Sequence, residues 1–241
     1  MAYFFVKKKD IKDSKVLIKG KEFRHIKNVL RTRIDDKIVV ITGDGEEYHS
    51  QVSEVKSTYI VANITKITRK TNEPGMYIAI AIAPPKARRM EWFIEKATEL
   101  GISEIFPLIT KRSVVIPGSI KIKRWNRIAV SAIKQSERSV LPKIREAVTF
   151  EELLSIGLEF PHKFIAYEKE RKEVLEEFLC GKDVRKVIAL IGPEGGFEDW
   201  EVEAAMEQGF LPVTLGIMKL RTETAGIVAL ARILATFSSK T

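Results

Sequence analysis

The hydrophobic pattern divides the chain into two parts. In the first, apolar positions recur with a period of two, which sets successive side chains on opposite faces of a strand. Lys37-Ile-Val-Val-Ile41 reads as a strand, Gly43-Asp44-Gly45 as a turn and His49 to Val55 as the returning hairpin partner. Thr58 to Ile67 alternates as a further strand, and a short helix near Glu22 to Val29 gathers Phe23, Ile26, Val29 and Leu30 on one face. Asn72-Glu-Pro-Gly75 then breaks the pattern and marks a domain boundary, giving domains 1–72 and 73–241.

Beyond that break, buried-type strands alternate with helical stretches. Met76 to Ala83 is a continuous apolar strand stopped by Pro84-Pro85, and Ala87 to Leu100 is a helix with Met90, Phe93, Ile94, Ala97 and Leu100 inward and Gly101 at its end. A strand from Ile105 follows, then the amphipathic segment Lys121 to Arg138, with Trp125, Ile128, Ala132 and Ile133 on its apolar side. Strands at Lys163–Tyr167, Val187–Ile191 and Pro212–Leu215 are interleaved with helices at Lys172–Leu179, Asp199–Gln208 and Glu223–Phe237, the last apolar on nearly every side. This alternation predicts an α/β domain with a mostly parallel sheet covered on both faces.

Composition narrows the function. The 241 residues are 45% hydrophobic, enough to bury a sizeable core. A single cysteine, Cys180, excludes a disulfide framework, and His25, His49 and His162 lie at no metal-ligand spacing, so no metal is expected. No apolar run approaches a bilayer span and the first residues lack a signal peptide's apolar core, so a soluble, cytoplasmic protein with no membrane partner is expected. The net charge of +9 resolves into +7 over residues 1–72, +9 over residues 111–145 and −7 elsewhere. Two basic blocks in an otherwise acidic chain fit a polyanion footprint, to which RNA binds by releasing counterions, and they are expected to flank one cleft. The same charge also fits a solvated lysine-rich surface.

Two loops carry candidate chemistry. Leu190-Ile-Gly-Pro-Glu-Gly-Gly-Phe-Glu198 leaves the most apolar strand and enters a helix. Its glycines permit positive φ and close backbone approach to a ligand. It matches neither the dinucleotide fingerprint nor the phosphate loop with its lysine. Glu194, Glu198 and Asp199 would repel a polyphosphate, so the loop suits a neutral or positive ligand, or simply a structural turn. Thr214 to Ala225 joins a strand to the last helix, with Thr222 as the expected N-cap and Glu223 in a first turn whose dipole favours an anion. Arg221 sits just before that helix at the carboxyl edge of the sheet, where ligands bind in open α/β folds. Both loops should form walls of one cleft.

Taken in order, Arg24-His25 with Val29-Leu30-Arg31, Glu95-Lys-Ala-Thr-Glu-Leu-Gly101 with Pro107, Arg124-Trp125, Gln135-Ser-Glu-Arg138 with Pro142, Gly192-Pro-Glu-Gly-Gly196 and Leu220-Arg-Thr-Glu-Thr-Ala225 after Leu215-Gly216 run through almost the whole chain. In these motifs the sequence resembles the ribosomal RNA small subunit methyltransferase E family of the SPOUT superfamily, which methylates N3 of a uridine in 16S ribosomal RNA. The resemblance implies a small PUA-like RNA-binding β-barrel over 1–72 and, over 73–241, an α/β methyltransferase domain whose C-terminal segment threads a trefoil knot. It also implies a homodimer that takes S-adenosylmethionine near the subunit interface and acts on 16S rRNA or the small ribosomal subunit. The donor pocket would fall on Ala166, Tyr167, Leu190, Gly192, Pro193, Glu194, Gly195, Gly196, Leu215, Gly216, Leu220 and Thr224. Where the family usually has Arg then Ile or Val before Leu-Arg, this chain has Met218 and Lys219.

Uracil N3 carries a proton at neutral pH, so its methylation needs that proton removed and the resulting negative charge stabilised. Arg221 is the expected stabilising cation, and Glu223 or Glu194 the proton acceptor; capping or loop structure explains either glutamate equally well. Arg24, Arg31, Arg33, Arg124, Arg127 and Arg138 are the expected RNA contacts. A non-catalytic RNA-binding or ribosome-assembly protein of the same fold, and a methyltransferase for another RNA base, are the alternatives.

Overall fold

The computed structural model describes residues 2–26, 32–170, 173–179 and 181–238. Val29, Leu30, Arg31 and Cys180 lie outside them. The chain divides into two compact units, one of residues up to 73 together with 130–141, the other of residues 74–129 together with 142 onwards.

The first unit contains strands β1 (Tyr3–Phe5), β2 (Ile11–Lys12), β3 (Lys15–Lys19), β4 (Lys37–Ile41), β5 (Glu46–Val55) and β6 (Tyr59–Arg69), with helix α1 (Gly20–His25) after β3. They form one sheet in the order β1-β4-β5-β6-β3-β2, with only the β1·β4 pair parallel. Phe4, Val16, Ile18, Val40 and Ile60 come from four parts of this sheet, yet all are buried in a single core with Phe23 and Ile26. A flat sheet of six strands would be roughly 24 Å wide at the usual strand spacing, far more than one short helix covers. The sheet is therefore rolled upon itself as a barrel. Register shifts in β5 at His49/Ser50 and Val52/Glu54 supply the local twist that rolling requires.

A single cut near residue 72 misses one part of this unit. Residues 130–141 belong to it because Ile133 packs on Val39 and Ile41 and because Leu141 N–H donates to the Gly43 carbonyl at 3.0 Å. Arg138 is fixed in the same way. Its guanidinium is buried and donates to Glu73 Oε2 at 2.6 and 3.1 Å, while Glu73 Oε1 accepts the Ser139 and Val140 N–H groups at 2.9 Å. The expectation that Arg138 contacts RNA is thereby corrected: its charge is desolvated and already paired.

The second unit contains β7 (Tyr77–Ile82), α2 (Arg89–Glu99), β8 (Glu104–Ile109), β9 (Lys143–Ile144), β10 (Val148–Thr149), α4 (Phe150–Gly157), β11 (His162–Ala166), α5 (Leu175–Leu179), β12 (Lys186–Ile191), α6 (Asp199–Glu207), β13 (Leu211–Val213) and α7 (Thr222–Ser238). Helix α3 (Ser119–Gln135) contributes its residues to 129 here and the rest to the first unit. The sheet order is β10-β8-β7-β12-β11-β13, with β9 beside β8, and every pair is parallel. Helix α4 was not expected; Thr149 and Glu152 form a capping box at its start. Leu100 is exposed rather than inward, because α2 ends before it and Gly101, at φ +102, turns the chain away. Trp125 is buried, as its place on the apolar side of α3 requires. Among the described residues no helix is long and apolar enough to cross a membrane.

Helix α7 crosses close to α2 and β7. A Cβ built on Gly226 would lie 2.5 Å from Phe93 Cε2 and 3.3 Å from Ile82 Cδ1, so glycine sets the approach.

Two stability measurements follow. Glu73→Ala removes the carboxylate paired with the buried Arg138 charge and should cost about 3–5 kcal/mol in denaturant unfolding. Gly226→Ala gains about 1 kcal/mol of helix propensity but overpacks the core by about 1–3 kcal/mol, so the variant should be less stable than the parent, not more.

Candidate active site

In a parallel sheet all strands present their carboxyl ends on one edge, so the loops that follow β11, β12 and β13, which are neighbours in the sheet, open side by side. Between them lies a cavity of about 410 Å³. Ala166, Tyr167, Glu168 and Lys169 form one wall, Ile191 to Glu194 with Gly196 and Phe197 a second, and Thr214 to Leu220 a third, closed by Thr222 and Ala225 of α7.

The loops hold their shape for identifiable reasons. Gly196 and Gly216 adopt φ of +72 and +124, the region that favours glycine. The Gly196 N–H closes a turn on the Pro193 carbonyl at 2.9 Å. The Thr222 hydroxyl donates to the Gly192 carbonyl at 3.1 Å, tying the last helix to the glycine loop. Thr222 is thus the first residue of α7 rather than its N-cap, since the Ala225 N–H bonds to the Arg221 carbonyl at 2.8 Å.

Charges around the cavity are largely paired. Lys219 lies 3.3 Å from Glu168, and Lys169 bonds Asp199 at 2.5 Å. The Tyr167 hydroxyl donates to Asp199 at 2.8 Å. The Lys169 ammonium and then the Tyr167 hydroxyl hold the Asp199 carboxyl below its ordinary range. Burial first, and Asp199 second, push the Tyr167 hydroxyl up, so it remains a donor. Arg89, at the start of α2, stands between two candidate carboxylates: Nη1 is 3.5 Å from Glu194 and Nε 3.8 Å from Glu223. Glu223 is buried, and its Oε2 has no hydrogen-bond partner among the described residues. Among the described residues no cluster of three His, Cys, Asp or Glu side chains is placed to hold a metal ion.

Known proteins share this organisation. The family profile described as an RNA methyltransferase domain matches residues 72–234, and the one described as an RNA methyltransferase PUA domain matches residues 18–70. A Mesomycoplasma hyopneumoniae protein named ribosomal RNA small subunit methyltransferase E is 33% identical over 96% of this chain and 98% of its own length. The chain belongs to the ribosomal RNA small subunit methyltransferase E family. The Bacillus subtilis protein of that name is 32% identical over 90% of this chain and 88% of its own. A probable rRNA-methyltransferase from Porphyromonas gingivalis superposes with a TM-score of 0.89 at 30% identity, covering all of both chains. A ribosomal RNA small subunit methyltransferase E from Neisseria gonorrhoeae, solved bound to S-adenosyl methionine, gives 0.87 at 28% identity over 98% of each chain. The rolled sheet is accordingly a PUA-like barrel and the parallel sheet a SPOUT-type α/β methyltransferase domain.

Of the residues assigned to the donor pocket by sequence, Ala166, Tyr167, Gly192, Pro193, Glu194, Gly196, Leu215, Gly216 and Leu220 line the cavity. Leu190 does not; its side chain is fully buried in the sheet core. Gly195 and Thr224 are also absent from the walls. Gly195 faces Arg112, to whose Nη1 its carbonyl is bonded at 2.6 Å. Arg221 is exposed outside the lining, with no ion-pair partner among the described residues. Arg24, Arg33 and Arg127 are exposed, and Arg124 pairs with Glu91 at 2.8 Å while staying half in solvent. Sequence reasoning missed Arg89 and Arg112. They follow β7 and β8, whose loops open on the same sheet edge, and that rule was the signal that pointed to them.

The Thr222 contact is testable. Thr222→Val keeps the side-chain shape but removes the donor to Gly192, and should cost about 1–2 kcal/mol in unfolding experiments; Thr222→Ser, which keeps the donor, should lose less.

Proposed function

We propose that this protein transfers a methyl group from S-adenosylmethionine to N3 of a uridine in 16S ribosomal RNA, working as a cytoplasmic homodimer. The observation that carries this reading is the cavity at the sheet edge, in a family of which the Neisseria gonorrhoeae member was solved bound to S-adenosyl methionine. Its volume falls in the usual range of about 300–1,000 Å³ for small-molecule sites. Its chemistry also fits the donor. The two wall lysines are each paired with a carboxylate, Lys169 with Asp199 and Lys219 with Glu168, which weakens their attraction for a polyphosphate, and Glu194 on the wall suits a ligand with a positive centre. When bound, the donor supplies an electrophilic methyl group on a sulfonium.

The protein's own part is to position the acceptor and manage its proton. Arg221, exposed and without an ion-pair partner among the described residues, offers its guanidinium to the negative charge that spreads over the uracil carbonyls once N3 is deprotonated. Glu223 accepts the proton. It lies behind the wall residue Thr222, its Oε2 has no hydrogen-bond partner among the described residues, and an imide N–H would supply one. Glu194, on the wall and more exposed, serves the donor side instead. The phosphates are held by Arg24, Arg31, Arg33, Arg124 and Arg127.

Methylation assays on RNA test these roles. Arg221→Ala should lower kcat by about 10²–10³-fold and Glu223→Gln by about 10²–10⁴-fold, with S-adenosylmethionine affinity preserved. Full activity of Arg221→Ala removes its role. Neutralising Arg24, Arg33 and Arg127 together should weaken RNA binding and flatten its salt dependence, by about 0.7–0.9 in log–log slope for each lost phosphate contact; an unchanged slope places the footprint elsewhere.

A further inference from the structure

We propose that Arg112 is a positioning residue for the methyl-donor site, acting through the glycine loop rather than on RNA; the inference rests on the S-adenosylmethionine reading of the cavity. Arg112 lies in the basic block of residues 111–145, yet each of its guanidinium nitrogens bonds within the protein. Nε and Nη2 donate to the two carboxylate oxygens of Glu198 at 2.9 and 2.7 Å, and Nη1 donates to the Gly195 carbonyl at 2.6 Å. A planar fork that grips a carboxylate and a backbone carbonyl at once fixes direction as well as distance.

The consequence lies in the loop's geometry. Pro193, Glu194 and Gly196 face the cavity; Gly195 between them does not. The one residue turned outward is the one whose carbonyl Arg112 holds, so this bond sets which loop groups face the donor. Glycine at 195 serves the same contact, because a Cβ there would lie 3.2 Å from Arg112 Cδ.

The arginine is itself launched from a fixed base. Glu201 is completely buried, with Oε1 accepting the Lys111 N–H at 2.9 Å and Oε2 the Glu198 N–H at 2.8 Å. The Ser113 hydroxyl closes the turn by accepting the Thr110 N–H at 2.9 Å. The turn after β8 and the start of α6 are thus joined at backbone level, and Arg112 transmits that rigidity to the glycine loop. Because the Arg112–Glu198 pair is partly exposed to solvent, its loss should leave the fold intact.

Calorimetry with S-adenosylmethionine and steady-state methylation assays test this on the full-length protein. Arg112→Ala should raise the donor Kd and KM by about tenfold or more, as expected when a preorganised loop is released, with kcat at saturating donor and the KM for RNA little changed. Arg112→Lys keeps the charge but not the fork and should be nearly as impaired. Glu198→Gln, which retains an acceptor, should fall between. A wild-type donor Kd in Arg112→Ala overturns the proposal, as does full rescue by lysine. A raised RNA KM and flatter salt dependence at unchanged donor affinity overturns it in favour of an RNA contact. If the unmodified protein binds no S-adenosylmethionine, the donor reading fails and the proposal falls with it.

Discussion

The constraint on which the site depends is the uniform direction of the strands in the α/β unit. Since every pair is parallel, the loops after β7, β8, β11, β12 and β13 all leave from the same edge, although they are spread from residue 83 to residue 221. Sequence order on either side of β7 also matters: β8 lies to one side of it and β12 to the other, so the chain reverses direction of progress across the sheet there. Such switch points leave a crevice that no crossover helix fills. The cavity, the Arg89 bridge and the Arg112 clamp all occupy this edge.

A second constraint is how closely the last helix approaches the sheet. Gly226 admits α7 against Phe93 and Ile82, and the Thr222 hydroxyl fastens its first turn to Gly192. Together they bring Glu223 into a buried setting with one oxygen lacking a partner. An unsatisfied buried carboxylate oxygen costs of the order of 1–3 kcal/mol. Arg89 offsets the charge on the other oxygen at 3.8 Å without removing that cost. Retained strain of this kind is coherent if the missing partner arrives with the substrate.

Much of this was legible in the sequence, and the exceptions have physical causes. Continuous apolar strands such as Met76–Ala83 and the Gly43-Asp44-Gly45 hairpin announce themselves through local periodicity and turn chemistry. The glycine loop and the Leu215-Gly216 loop were readable because glycine is needed where a backbone must turn or come close to a ligand, and nine of the assigned pocket residues do line the cavity. Arg138 misled because a basic amphipathic helix looks the same whether its charges face solvent or a partner; the pairing with Glu73, sixty-five residues away in the chain, distinguishes the two. Residues 130–141 join the barrel unit through long-range packing on Val39 and Ile41, which has no local signature. Thr149-Phe-Glu-Glu152 was a readable capping box, but the helix it opens is only eight residues long, and an apolar stripe over two turns is easily passed over beside longer elements. Gly195 was assigned to the donor pocket through the family resemblance; in the structure its carbonyl is held by Arg112, a long-range contact with no local signature.

The central claim is that the cavity delivers a methyl group to N3 of a uridine in small-subunit ribosomal RNA. Incubating the purified protein with that RNA and S-adenosylmethionine bearing an isotopically labelled methyl group, then digesting to nucleosides for mass spectrometry, tests it directly. Labelled 3-methyluridine, with no other labelled nucleoside, is the expected result. Transfer of the label to another base or to ribose, or no transfer by a protein that binds the donor, would contradict the account.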